Sequence, residues 1–171
     1  MGRGHRARIM RWWLPVPLLA WVTLAARAPA PNAFQIAPDV RSALHRLYDE
    51  SASAKAERVA CVASTVDGDT LRITAISPLD GPLADSLAVS AAASLAGCGP
   101  PAWQGTVHTH IALRDGQRPY SNFSGADRGV MLMWGQRWRT AGTFCLLYSS
   151  EKVHCEIDGP EGGLIFPSAS Y

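Results

Sequence analysis

The sequence predicts an α+β domain with one mixed β-sheet flanked by helices. Three observations lead there. Alternating, β-branched-rich runs occur as hairpin-like pairs, stretches of helical spacing fall between them, and 47% of the 171 residues are hydrophobic, enough for one real core.

Residues 1–33 are set apart from that domain. Arg3, Arg6, Arg8 and Arg11 lead into the apolar run "WWLPVPLLAWVTLAA", followed by "RAPAPNA". A basic start, an apolar middle and a small-residue end form the pattern of a secretory signal. The apolar run holds 15 residues with Pro15 and Pro17 inside it, short of the roughly 20 that a membrane-spanning helix needs. Both Ala-x-Ala cleavage positions, ending at Ala28 and Ala30, are followed by proline, so an uncleaved N-terminal anchor is the alternative to a cleaved signal. Either way the domain is expected outside the cytoplasm, periplasmic or secreted, touching a membrane only through this segment. Five of the sixteen Lys+Arg and none of the fourteen Asp+Glu lie here, which leaves the remainder at −3. The mature part carries no polybasic run, and nucleic acid is excluded as a partner.

The expected domain runs over residues 34–158. Residues 38–50 place Val40, Ala43, Leu44, Leu47 and Tyr48 at helical spacing, with Pro38 suited to a first turn. Next, "ERVACVAST" and "TLRITAIS" flank Asp67-Gly68, a hairpin with Glu57 opening its first strand. The alanine-rich "DSLAVSAAASLAG" reads as a second helix, stopped by the Gly and Pro of residues 97–101. "WQGTVHTH" returns to strand composition, and a loop follows from Ile111 to Phe123. In "SGADRGVMLMWGQRWRT", Val130, Met131, Trp134 and Trp138 recur at helical spacing. A last hairpin, "GTFCLLYSS" and "KVHCEI", closes the domain, and residues 159–171, punctuated by Gly and Pro, read as a loosely attached C-terminal tail.

Cys61, Cys98, Cys145 and Cys155 all follow the N-terminal segment, and an even count in an exported chain allows disulfides in three connectivities. A turn at Ser149-Ser150-Glu151 would put Cys145 opposite Cys155. No Cys-x-x-Cys occurs, which argues against a zinc ribbon or a thioredoxin-like pair.

The chemistry concentrates in "VHTH" and in "SGAD", whose Asp stands seventeen positions after the second histidine. On a strand, residues i and i+2 share a face, so His108 and His110 project side by side. Ser124 and Asp127 have the spacing of a helix capping box, which brings Asp127 into the first helical turn. Taken singly, these are also a polar strand end and an ordinary cap. Together, two imidazoles and a carboxylate make a three-ligand set for catalytic zinc with a fourth position left for water. Glu57, on a strand expected beside the His strand, is the candidate base, preferred to Glu50 at the end of the predicted helix. The remaining histidines, His5, His45 and His154, carry no assigned role.

Glu57 heading "ERVACVAS", then "GTVHTH", then "SGAD" resembles the JAMM metallopeptidases, also called MPN+ or JAB-domain proteins, over residues 38–157. The resemblance implies a single MPN/JAB-like domain and a zinc hydrolase that cleaves peptide or isopeptide bonds, often beside ubiquitin-like proteins. It makes His108, His110 and Asp127 the zinc ligands, Glu57 the general acid/base and Ser124 a donor to the oxyanion. Ile111 stands where the family has proline, and thirteen residues separate His110 from Ser124, more than the family pattern has. Tyr120 and Phe123 on that longer loop are candidate substrate contacts, or residues that pin the loop to the body. The expected partner is a peptide or protein substrate, either a ubiquitin-like or an envelope protein, with export weighing against the ubiquitin-linked role. Two other readings are a non-catalytic MPN-fold scaffolding module, and a disulfide-stabilised envelope protein whose histidines face solvent.

Overall fold

A computed structural model of the chain describes residues 30–79, 91–111, 113–114 and 118–171. Most of the expected signal or anchor, residues 1–29, and the first part of the expected helix over 85–97 lie outside the described residues.

The architecture is a mixed α+β one, as expected. Eight strands among the described residues form one sheet in the order β1-β3-β2-β4-β7-β8-β10, with β9 also pairing β8. These are β1 (Ala33–Ile36), β2 (Val59–Asp67), β3 (Thr70–Pro78), β4 (Gly105–Thr109), β7 (Gly142–Leu147), β8 (Lys152–Asp158), β9 (Leu164–Ile165) and β10 (Ala169–Ser170). The pairs β1/β3 and β4/β7 are parallel and the others antiparallel. A separate two-stranded ribbon, β5 (Leu113–Arg114) with β6 (Arg118–Pro119), stands in the loop after β4.

Alternation along the strands builds two cores. Helix α1 (Pro38–Ala54) covers one face, where Val40, Leu44 and Leu47 meet Val62, Val107 and Leu147. Helices α2 (Ala91–Gly97) and α3 (Gly125–Trp138) cover the other, where Met131 and Trp134 meet Cys61, Phe144 and Leu146. Strands β4 and β7 are buried along their whole length because both faces are covered. They also approach closely at one end. A Cβ on Gly105 would lie 1.7 Å from the Thr143 carbonyl oxygen, so the head of β4 accepts no side chain.

The β2–β3 hairpin turns at Gly68-Asp69, with Gly68 at φ +61° in the left-handed region that glycine favours. Cys145 pairs with Cys155 across β7 and β8, as expected, and a second disulfide, Cys61–Cys98, ties β2 to the end of α2.

Four expectations need correction. Residues 159–171 are not a loose tail: β9 and β10 both pair with β8, and Phe166 is buried edge-on to Phe34. The Gly and Pro of this segment make turns between short strands rather than a free end. The folded unit also begins before residue 34, since Ala33 starts β1; four residues are too few to show a period. Helix α1 continues past residue 50 to Ala54, because Ser51 turns inward as a buried polar residue. Glu57 precedes β2 by two residues and does not open it.

Candidate metal centre

Strand β4 delivers the histidines. His108 pairs in register with Val59 of β2 and Leu146 of β7, which places its ring on the face covered by α3. His110 lies one residue beyond the strand's last position, yet its N–H still reaches the Leu147 carbonyl at 2.8 Å, so it keeps the same face. Both are buried.

Helix α3 delivers the carboxylate. Ser124 is its N-cap: the Asp127 N–H donates to Ser124 Oγ at 3.2 Å, and the Ser124 N–H donates to Asp127 Oδ2 at 2.6 Å. This reciprocal box locks the carboxylate against the strand. Asp127 Oδ1 then lies 3.3 Å from His108 Nε2, and Oδ2 lies 3.5 Å from His110 Nε2. The two Nε2 atoms are 3.3 Å apart.

Those spacings suit a cation. Donors about 2.0–2.1 Å from a tetrahedral ion stand about 3.3–3.4 Å from one another. The orientation of His110 suits it too: Nδ1 donates to the Tyr120 carbonyl at 2.9 Å, which leaves Nε2 as the nitrogen that faces the other donors. Among the described residues, His108, His110 and Asp127 form a group that could hold a metal ion.

The electrostatics match the geometry. Burial works against ionisation of Asp127, but hydrogen bonds from His108 and His110, with the charge at His108 and the Ser124 contact, hold the carboxyl well below the usual range. For His110, burial disfavours the charged form; Asp127, the Tyr120 carbonyl and the charge of Glu57 outweigh it and raise the pKa. Burial pushes Glu57 up to about 7, with His110 pulling it down and Asp127 pushing it up. Glu57 is thus a buried carboxyl whose charge acts on both ligand elements. Glu50, the alternative, is exposed on α1.

Comparisons with protein-family models and with curated proteins return no match for this chain. What the centre can do is read from its own geometry.

All five expected site residues come to one place: Glu57, His108, His110 and Asp127 through the contacts and charges above, and Ser124 through the cap. The Ser124 hydroxyl accepts from the Asp127 N–H and its contact with the Asp127 carboxyl helps to keep that group ionised. A cavity of about 30 Å³, lined in part by Val59, Thr106, His108, Phe123 and Asp127, lies beside the donors. The loop aromatics part company. Tyr120 is 50% exposed and presents its ring at the surface while its carbonyl holds His110. Phe123 is buried, with its ring centroid 5.6 Å from His108 and 5.7 Å from His154. It packs in the core and at the same time lines the cavity beside the donors.

Sequence reasoning passed over the support around these ligands. His154 Nε2 lies 2.8 Å from Glu156 Oε1, and Arg128 grips both oxygens of the same carboxylate, Nη2 to Oε1 at 2.8 Å and Nη1 to Oε2. Burial pushes the Glu156 carboxyl up, and its bonds to Arg128 and His154 bring it below its ordinary value. This bridge ties the first turn of α3, which carries Asp127, to β8. A signal existed, since His154 and Glu156 are two apart on a strand and so share a face.

Proposed function

We propose that the protein is a zinc-dependent hydrolase of the JAMM type, with an MPN/JAB-like fold, which cleaves peptide or isopeptide bonds outside the cytoplasm. The observation that carries this reading is the convergence of His108 Nε2, His110 Nε2 and the Asp127 carboxylate within 3.3–3.5 Å, with buried Glu57 beside them. Two imidazoles and one carboxylate are the donor set of catalytic zinc, which keeps one position open. When bound, the ion supplies Lewis acidity, polarising a carbonyl and lowering the pKa of water towards neutrality.

The chain's own groups account for the proton traffic. Glu57, poised near neutral pH, takes a proton from the attacking water and delivers it to the leaving nitrogen. The Ser124 O–H, at the cap beside Asp127, donates to the oxygen that gains charge at the carbonyl. Asp127 and the Tyr120 carbonyl keep both imidazoles in place. Two disulfides support an oxidising compartment, and the substrate is an envelope peptide or protein.

The test is metal content and peptide hydrolysis of the chain from residue 30 onward, purified without a histidine tag. One zinc per chain, lost in His110→Ala, and hydrolysis abolished in Glu57→Gln with zinc retained are the expected results. Absence of zinc from the folded native protein after incubation with the metal would overturn the reading. Undiminished hydrolysis by Glu57→Gln would remove Glu57 as the base.

A further inference from the structure

The buried face of α1 runs Val40, Leu44, Leu47 and then Ser51, a hydroxyl where the apolar stripe should continue. Thr109, between the two histidines, is the matching oddity on β4: its side chain turns to the α1 face, opposite to the ligands. Both residues are 0% exposed. Their hydroxyls are 2.5 Å apart.

Two acceptors lie near the Thr109 proton, Ser51 Oγ at 2.5 Å and the Arg58 carbonyl at 3.5 Å, and the shorter contact sets the arrangement. Ser51 Oγ–H donates to the Ala56 carbonyl at 2.6 Å, and the Arg58 N–H donates to Thr109 Oγ1 at 2.8 Å. Each hydroxyl has a single proton. With the Ser51 proton on the Ala56 carbonyl, Thr109 is the donor in the short contact. A directed chain results: Arg58 N–H to Thr109 O–H to Ser51 O–H to Ala56 C=O. It begins on the residue after Glu57 and ends on the residue before it. The Thr109 N–H adds a bond to the Arg58 carbonyl at 3.0 Å. Glu57 itself lies outside regular structure, between the end of α1 and the start of β2.

We propose that Ser51 and Thr109 are positioning residues that clamp the backbone on both sides of Glu57 and fasten it to the His108–His110 strand. Thr109 thereby joins base and ligands through one residue: its backbone spaces the histidines and its hydroxyl holds the backbone next to Glu57, whose charge acts on His110. Neither side chain touches the substrate. The catalytic part of the proposal rests on the hydrolase reading above; the clamp itself does not.

Two measurements on the full folded protein test it. The first is hydrogen exchange at the Arg58 amide, expected to be slow in the native protein and in Thr109→Ser, and at least about tenfold faster in Thr109→Val. The second is steady-state kinetics on a peptide substrate. A displaced base costs turnover, so Thr109→Val and Ser51→Ala should lower kcat by about 10- to 100-fold with KM and zinc content unchanged. Thr109→Ser, which keeps the hydroxyl, should recover activity to within about twofold of native. If Thr109→Val fails to fold, Ser51→Ala and Thr109→Ser still make the comparison. An Arg58 amide that exchanges alike in all variants would overturn the clamp, and native kcat in a folded Ser51→Ala or Thr109→Val would overturn its catalytic part. If the exchange pattern holds but the native protein hydrolyses nothing, the clamp stands and the catalytic part falls with the hydrolase reading.

Discussion

Asp127 serves two structures at once, and its chemistry shows how they separate. As the third residue of α3 it accepts the Ser124 N–H, and as a carboxylate it faces both histidines. An amide oxygen can keep the first role but not the second. Asp127→Asn should therefore retain a folded α3 yet bind zinc at least about tenfold more weakly, as read by competition with a chelator. The titrating groups also make the stability of the metal-free protein depend on pH. Glu57 rises from 4.5 to about 7 on folding, so between those values the folded state holds the extra proton and raising the pH destabilises it. His110, whose pKa is also raised, contributes stability below its unfolded pKa that is lost as pH climbs through the folded one, the same sign. Asp127 acts oppositely: its stabilisation is present above its unfolded pKa of 3.8 and fades in stronger acid. Thermal unfolding without metal should thus show a falling Tm from about pH 5 to 8. Glu57→Gln should flatten that slope.

At the scale of elements, β4 and α3 must meet in one register for the centre to exist, and separate devices secure it. Gly105 permits the close parallel approach of β4 to β7. Gly105→Ala would press a methyl onto the Thr143 carbonyl and should lower stability by about 1–3 kcal/mol, measurable by denaturant unfolding. On the other side, the Arg128–Glu156–His154 bridge moors α3 to β8. Arg128→Met leaves the buried Glu156 with His154 as its remaining side-chain partner in the bridge. Destabilisation of about 1–3 kcal/mol is expected from the lost charge-assisted bonds, together with weaker zinc retention as the Asp127 turn loosens. The disulfides act on the unfolded chain. Bridges spanning 37 and 10 residues should contribute about 4 and about 3 kcal/mol respectively by loop closure.

For the whole molecule, metal binding and folding are linked, since the three donors converge only when β4 and α3 are both in place. Zinc at a hundredfold excess over its Kd should stabilise by about 2.7 kcal/mol, and a chelator should lower Tm accordingly. A Tm indifferent to chelator and to added zinc would argue against the centre. The α+β class, both hairpins, the helical character of residues 38–50 and 124–138, the Cys145–Cys155 pair and the His108, His110 and Asp127 grouping were all legible in the chain. Each rests on a local rule: a period of 2 or 3.6, an Asp-Gly turn, or a capping box four residues long. What local rules could not reach is what distant segments impose. Residues 33–36, 164–165 and 169–170 are strands because β3 and β8 offer edges to pair with, not because their own few residues alternate. Ser51 sits inside because Thr109, 58 positions away, supplies its partner. Phe123 is a core residue because His108 and His154 come to flank it from two strands. The sequence by itself determined which side chains could bind a cation. Only the tertiary structure decided that they converge to 3.3–3.5 Å, with the charge of Glu57 acting on His110 and Asp127, because that distance depends on sheet order and helix docking, which no single segment encodes.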